Sequence, residues 1–234
     1  MRIGILMTNT DESAFADAHP RDGEKWRALL APLVPDWSFP VYAVKDGEFP
    51  DHVDGHDGFI ITGSPASVND LAPWLDRLFV LIREAVARKM PLFGACFGHQ
   101  AIALALGGAV EANPGGWVFG TTETEVTDPA AWMEPGPLRQ YAAHVEQVTR
   151  PPEGAALVMG NAACPVGGFT LGTSVFTTQY HPEITHDFMT ALVEEYGPKL
   201  PAEVAEVARA SLAQRAETAR VAGWIVAFFR QAVG

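Results

Sequence analysis

The sequence predicts a doubly wound α/β fold with a mainly parallel sheet, a small antiparallel β section and a helical C-terminus. Three observations carry this. Over the first 110 residues short, wholly apolar runs alternate with helical stripes. Several of those runs end in small, turn-forming residues. Residues 115–182 then change to short β-rich pieces separated by Gly and Pro. Unbroken apolar runs suit strands covered on both faces, and strand–helix alternation is the mark of a parallel sheet.

The elements follow in order. Residues 2–7 form the first apolar run. Residues 26–33 read as a helix with Trp26, Leu29, Leu30 and Leu33 on one stripe. Residues 35–40, bounded by prolines, break it. Residues 38–44 give a second strand and 47–55 a polar loop. Residues 58–62 are the next buried strand, ending in Gly63-Ser64-Pro65. Residues 74–89 are helical, with Trp74, Leu75, Leu78, Ile82 and Val86 on one face. A strand over 91–95 leads to Cys96, then to a helix through Leu106 closed by Gly107-Gly108.

Further strands are expected at 121–126, 156–159, 169–171 and 175–180. From Thr185 the pattern is helical, broken by Gly197-Pro198 and Pro201. Residues 202–233 form one long helix or two, and the stripe Val221, Trp224, Ile225, Phe228 and Phe229 predicts packing on the body. With no repeat or linker, the chain reads as one domain over 1–234, with a helical extension from about 197. In such sheets, flavodoxin-like in arrangement, ligands bind at the carboxyl ends of the strands. Gly63-Ser64 and Cys96 fall at two such ends.

Composition narrows the function classes. With 234 residues and 48% hydrophobic content, the chain can bury a sizeable core. A net charge of −12 argues against a nucleic-acid-binding surface. Two cysteines, Cys96 and Cys164, do not make a disulfide framework and read as reduced thiols of a cytoplasmic protein. The N-terminal apolar run is too short for a signal peptide. Residues 90–110 lack Asp, Glu, Lys and Arg, close to a spanning length. However, Pro91, Cys96, His99, Gln100 and four glycines make that stretch a buried strand–turn–helix, so no membrane contact is expected.

Gly94-Ala95-Cys96-Phe97-Gly98 is the thiol counterpart of the Gly-x-Ser-x-Gly nucleophile elbow. A helix N-terminus beside the sulfur favours thiolate. His181 follows 85 positions later and precedes Pro182, so its backbone is expected to be extended. In extended chain Glu183 points to the same side, where it can hold one ring nitrogen while the other faces the thiol. Cys96, His181 and Glu183 therefore suggest covalent catalysis by a Cys-His-Glu set. The oxyanion needs donors: the Phe97 amide is one, and Gly63-Ser64 offers a second.

Other clusters are weaker. His52-Val53-Asp54-Gly55-His56 has metal-ligand spacing, but no further ligand cluster supports it and no metal is expected. His99 points along its helix in a structural position. His144 and Glu146 lie in the irregular middle section, and the residues alone assign them no role. No Gly-x-x-x-x-Gly-Lys-Ser/Thr phosphate loop is present, and no cofactor is expected.

Taken with Ile61-Thr62-Gly63-Ser64-Pro65 before it and Gln179-Tyr180-His181-Pro182-Glu183 after it, the Cys96 motif resembles the class I glutamine amidotransferases. The likeness spans roughly residues 1–190 and is nearest to the glutaminase domain of guanosine monophosphate synthetase and its free-standing relatives. It implies that Cys96 attacks the side-chain amide of glutamine and forms a γ-glutamyl thioester. His181 would carry the proton to ammonia, with Glu183 orienting it. It further implies that the Ser64 and Phe97 amides, beside Gly63, form the oxyanion hole, and that Gln100 helps bind substrate. His144 falls on a loop motif near the family's active site, where Glu146 replaces the common Asp. Ser64 stands where a second glycine is common, and a backbone donor survives that change.

Two enzyme readings stay open: a glutaminase, free-standing or serving a separate synthetase subunit, and a hydrolase of γ-glutamyl peptides or conjugates. A third reading is a non-catalytic regulatory module on the same fold. The helical extension is a candidate surface for a partner or a second copy.

Overall fold

The computed structural model describes residues 1–233. In chain order it contains β1 (Ile3–Leu6), α1 (Ala14–Asp17), α2 (Asp22–Leu30), β2 (Val41–Tyr42), β3 (Gly58–Ile61) and α3 (Pro73–Ala87). Then come β4 (Leu92–Ala95), α4 (Phe97–Ala105), β5 (Ala109–Ala112), β6 (Val118–Val126), β7 (Gly136–His144) and β8 (Glu146–Arg150). The chain continues through β9 (Ala156–Gly160), β10 (Gly168–Leu171), β11 (Val175–Thr178), α5 (His186–Tyr196), α6 (Ala202–Ser211) and α7 (Thr218–Val233).

The main sheet runs β2-β1-β3-β4-β11-β10-β9-β6-β7. Its first five strands are parallel and the rest are joined antiparallel. The parallel half thus has the doubly wound order expected of the flavodoxin-like arrangement. Strands β5 and β8 make a separate antiparallel pair against α4.

Alternation along the buried strands supplies both faces. Ile3, Ile5, Ile60, Phe93 and Phe176 meet Trp26 of α2 and Ile225, Phe228 and Phe229 of α7. Leu6, Phe59, Ile61, Leu92 and Val175 meet Leu75, Leu78 and Ile82 of α3 and Phe97 and Ile102 of α4. Period-two side chains between two helical layers are what a parallel sheet needs to bury both surfaces. The predicted C-terminal stripe therefore sits in the core. A third cluster joins Phe119 and Tyr141, on β6 and β7, to Met189, Val193 and Ala208, on α5 and α6.

Two expectations change in detail and one open alternative is decided. The first long helix starts at Asp22, because the Arg21 N–H donates to Glu24 Oε2 (2.8 Å) and caps a polar first turn that carries no apolar signal. The C-terminal stretch is two helices. Ser211 ends α6, where its hydroxyl accepts from Thr121 N–H (2.8 Å) and ties it to β6. The middle section holds β5, β7 and β8, which periodicity did not reveal. In β7 the pattern is masked by Gln140, which is buried and donates to Thr124 Oγ1 across the ladder (3.2 Å). The uncharged stretch 90–110 forms β4, the Cys96 turn, α4 and the first half of β5, and no helix among the described residues is long and apolar enough to cross a membrane.

Candidate active site

Cys96 stands between β4 and α4 with φ +50° and ψ −106°. A non-glycine residue there is held against about 1–3 kcal/mol of backbone strain. The neighbours supply the restraint. Cys96 N–H donates to Thr178 O (2.9 Å) and Gly98 N–H donates to Thr62 O (3.2 Å), so the turn is pinned to β11 and to the end of β3. The flanking glycines are steric requirements. A Cβ on Gly98 would lie 2.3 Å from Ile61 O, and one on Gly94 would lie 2.6 Å from the Gly98 backbone. The elbow exists because α4 packs backbone to backbone on β3 and β4.

Phe97 is the first residue of α4, so its N–H has no intrahelical partner. That donor and the positive end of the helix follow Cys96 directly in the chain. The Gly63-Ser64 segment lies across from it. Thr8 N–H donates to Thr62 Oγ1 (3.0 Å), and the Thr8 hydroxyl lies 3.0 and 3.1 Å from the Thr62 and Gly63 carbonyl oxygens. Gly63 also admits the imidazole: a Cβ there would lie 2.7 Å from His181 Cε1.

His181 Nδ1 and Glu183 Oε1 are 2.8 Å apart, with both residues buried. The route differs from the expected extended chain. Pro182 and Glu183 occupy a turn in which Ile184 N–H points back at His181 O (3.4 Å), and this turn folds the carboxylate under the ring. The backbone N–H of His181 donates to Tyr141 O (2.9 Å), fixing this stretch of chain against β7. Burial opposes charge on the imidazole. The Cys96 sulfur and the Glu183 carboxylate outweigh it and hold the His181 pKa well above its ordinary value. Cys164 has the opposite surroundings: burial pushes its thiol up to about 12, so it stays protonated and inert.

Cys96, Gly63, Ser64, His181 and Glu183 all line one cavity of about 770 Å³. Phe97, Gln100 and His144 are not among the residues that line it. Gln100 lies beneath the elbow, where its Nε2 donates to Glu146 O (2.8 Å) and to Gln179 Oε1 (3.2 Å). Gln179 Nε2 in turn reaches Cys96 Sγ at 3.7 Å. Gln179 carries no sequence signal for this role: β11 ends at Thr178, and a bend over 179–180 separates Gln179 from His181. His144 Nδ1 pairs with Glu146 O (3.1 Å), and burial, with His181 adding to it, lowers its pKa to about 4. It stands as a neutral neighbour of His181. His99 is buried against Thr177 Oγ1 (2.8 Å), and its pKa falls to about 3 through burial. His56 bonds the Tyr42 hydroxyl (2.9 Å) and packs on Phe59.

The sequence profile of the family described as "Glutamine amidotransferase class-I" matches residues 39–195. "Gamma-glutamyl peptidase 3" of Arabidopsis thaliana is 27% identical over 192 residues, covering 78% of this chain and 72% of that protein. "GMP synthase [glutamine-hydrolyzing]" of Aeropyrum pernix is 33% identical over 131 residues, covering 55% of this chain but 24% of the synthase. The crystal structure of a glutamine amido transferase from Methylobacillus flagellatus aligns with 100% of this chain and 94% of its own, with a TM-score of 0.76 at 20% identity, a likeness of fold.

Proposed function

The chain belongs to the class I glutamine amidotransferase family, and from that premise we propose that it cleaves a γ-glutamyl amide, glutamine in the simplest case, by covalent catalysis at Cys96. The observation that carries this reading is the left-handed Cys96 elbow sharing one cavity with an imidazole that is paired to a buried carboxylate at 2.8 Å. His181 takes the thiol proton and Sγ attacks the γ-carbon. The Phe97 amide and the Gly63-Ser64 segment receive the oxyanion. The C–N bond breaks as His181 returns the proton to the leaving nitrogen. Water, activated by the same imidazole, then hydrolyses the γ-glutamyl thioester to glutamate and free thiol. Glu183 keeps the ring in the tautomer and orientation that both proton transfers need.

The partial likeness to a GMP synthase supports a role as ammonia donor to a separate synthetase subunit. The likeness to a γ-glutamyl peptidase over most of its length supports independent hydrolysis. The test is glutamate and ammonia release from glutamine by the purified protein, with Cys96→Ala as control. Release in the wild type and none in the variant is expected, with both giving the same circular dichroism spectrum. Equal release by the variant would remove Cys96 as nucleophile.

A further inference from the structure

The cavity at Cys96 is larger than glutamine requires. Its volume of about 770 Å³ falls in the range of roughly 300–1,000 Å³ that accommodates drug-sized ligands. Its chemistry on one side is equally specific. His181 has to stand beside the leaving nitrogen to protonate it, so any substituent on that nitrogen lies on the His181 side. The cavity lining there includes Phe119, Ile184, Phe188 and Leu192, the open margin of the cluster that α5 and α6 build on β6 and β7, with Lys25 and Asp22 also in the lining. Phe188 is pre-set: Lys25 Nζ lies 3.8 Å from its ring centroid, and His19 meets it edge-on at 5.2 Å. Departing ammonia would leave this apolar wall uncovered, whereas a hydrocarbon group would take it out of water.

We infer that the preferred substrate is a γ-glutamyl amide whose nitrogen carries an aromatic or aliphatic group, such as a γ-glutamyl derivative of an apolar amino acid. This rests on the Cys96 reading above and names its substrate class. The bond balance is unchanged: S–C forms, C–N breaks, the amine leaves with the proton from His181, and water restores the thiol and releases glutamate.

The experiment compares kcat/KM for glutamine, γ-glutamylglycine and γ-glutamylphenylalanine on the wild-type chain, with Cys96→Ala as blank. γ-Glutamylphenylalanine should exceed the other two by about tenfold or more, the scale on which an apolar pocket discriminates hydrocarbon groups. Phe188→Ala should lower the ratio of kcat/KM for γ-glutamylphenylalanine to that for glutamine by about tenfold. Phe188 is only partly buried, so the variant is expected to fold, and the wild-type comparison stands without it. Glutamine turned over as well as or better than γ-glutamylphenylalanine would overturn the substrate class and leave amide cleavage at Cys96 in place. No turnover of any of the three would remove both readings together.

Discussion

Glu183 is the residue on which the proposed chemistry turns. It has one carboxylate oxygen on His181 Nδ1 and the other buried without a partner, so its charge is directed at the ring. With the Cys96 sulfur, that charge raises the His181 pKa against the effect of burial. The sign follows. A raised folded pKa means that the stabilisation of the imidazolium is fully present below about 6.5 and is lost as pH rises through the raised value. The alkaline limb of kcat for a γ-glutamyl amide should therefore lie well above pH 6.5. Glu183→Gln should move that limb to lower pH and reduce kcat less than His181→Ala does. Loss of about 100- to 10,000-fold is expected for the base itself. An unmoved limb in Glu183→Gln would show that the carboxylate does not act through the ring. Cys96 illustrates the same local logic from the other side: the Gln100–Gln179 amide pair fills the space under it and presents an N–H to the sulfur.

At the scale of elements, the site depends on how closely α4 approaches β3. Gly98 permits contact at a distance where a Cβ would strike Ile61 O, a backbone atom that cannot rotate away. Gly98→Ala should therefore push the first turn of α4 outward, costing about 1–3 kcal/mol in a urea titration, as overpacking does. Activity should fall further than stability, because the same shift moves both the Phe97 amide and Cys96. Full activity with unchanged stability would mean that the elbow does not need this contact. The Thr8–Thr62 bonds on the opposite side work in the same direction, fixing the Gly63-Ser64 segment to the end of β1. Two elements held to a third by backbone contacts leave the elbow little freedom.

At the scale of the molecule, the helix most distant in sequence from the elbow closes the layer behind it. Phe228 of α7 packs on Phe176 of β11 and on Trp132, with centroids 5.9 Å apart in each pair, and is buried among residues of β1, β3 and β4. The strand that it covers leads into Gln179 and His181. Phe228→Ala should cost about 3–5 kcal/mol, read as a lower urea midpoint with an unchanged slope. A loss under 1 kcal/mol would mean that α7 is not part of the cooperative unit. The third apolar cluster reaches the cavity wall beside His181, so one packing unit serves both stability and the shape of the site.

The sequence by itself determined the parallel half of the fold and most of the candidate site. Buried strands over β1, β3 and β4 announce themselves by unbroken apolar runs and β11 by its β-branched and aromatic residues, and the glycines around Cys96 and the spacing of His181 and Glu183 are local signals. Tertiary structure decided the rest. β7 was not visible because a polar residue within it, Gln140, is buried and satisfied across the ladder by Thr124 rather than by a neighbour in sequence, and β5 and β8 are short and partly exposed, so they carry no clear alternation. The placement of Gln100 under the elbow and the reach of Gln179 to sulfur depend on contacts between segments 46 to 83 residues apart, and the local turn that folds Glu183 under His181 is anchored by the bond from His181 N–H to Tyr141 O. Such contacts leave no periodicity in the chain, because side-chain period records only which face an element buries, not which residue it will meet there.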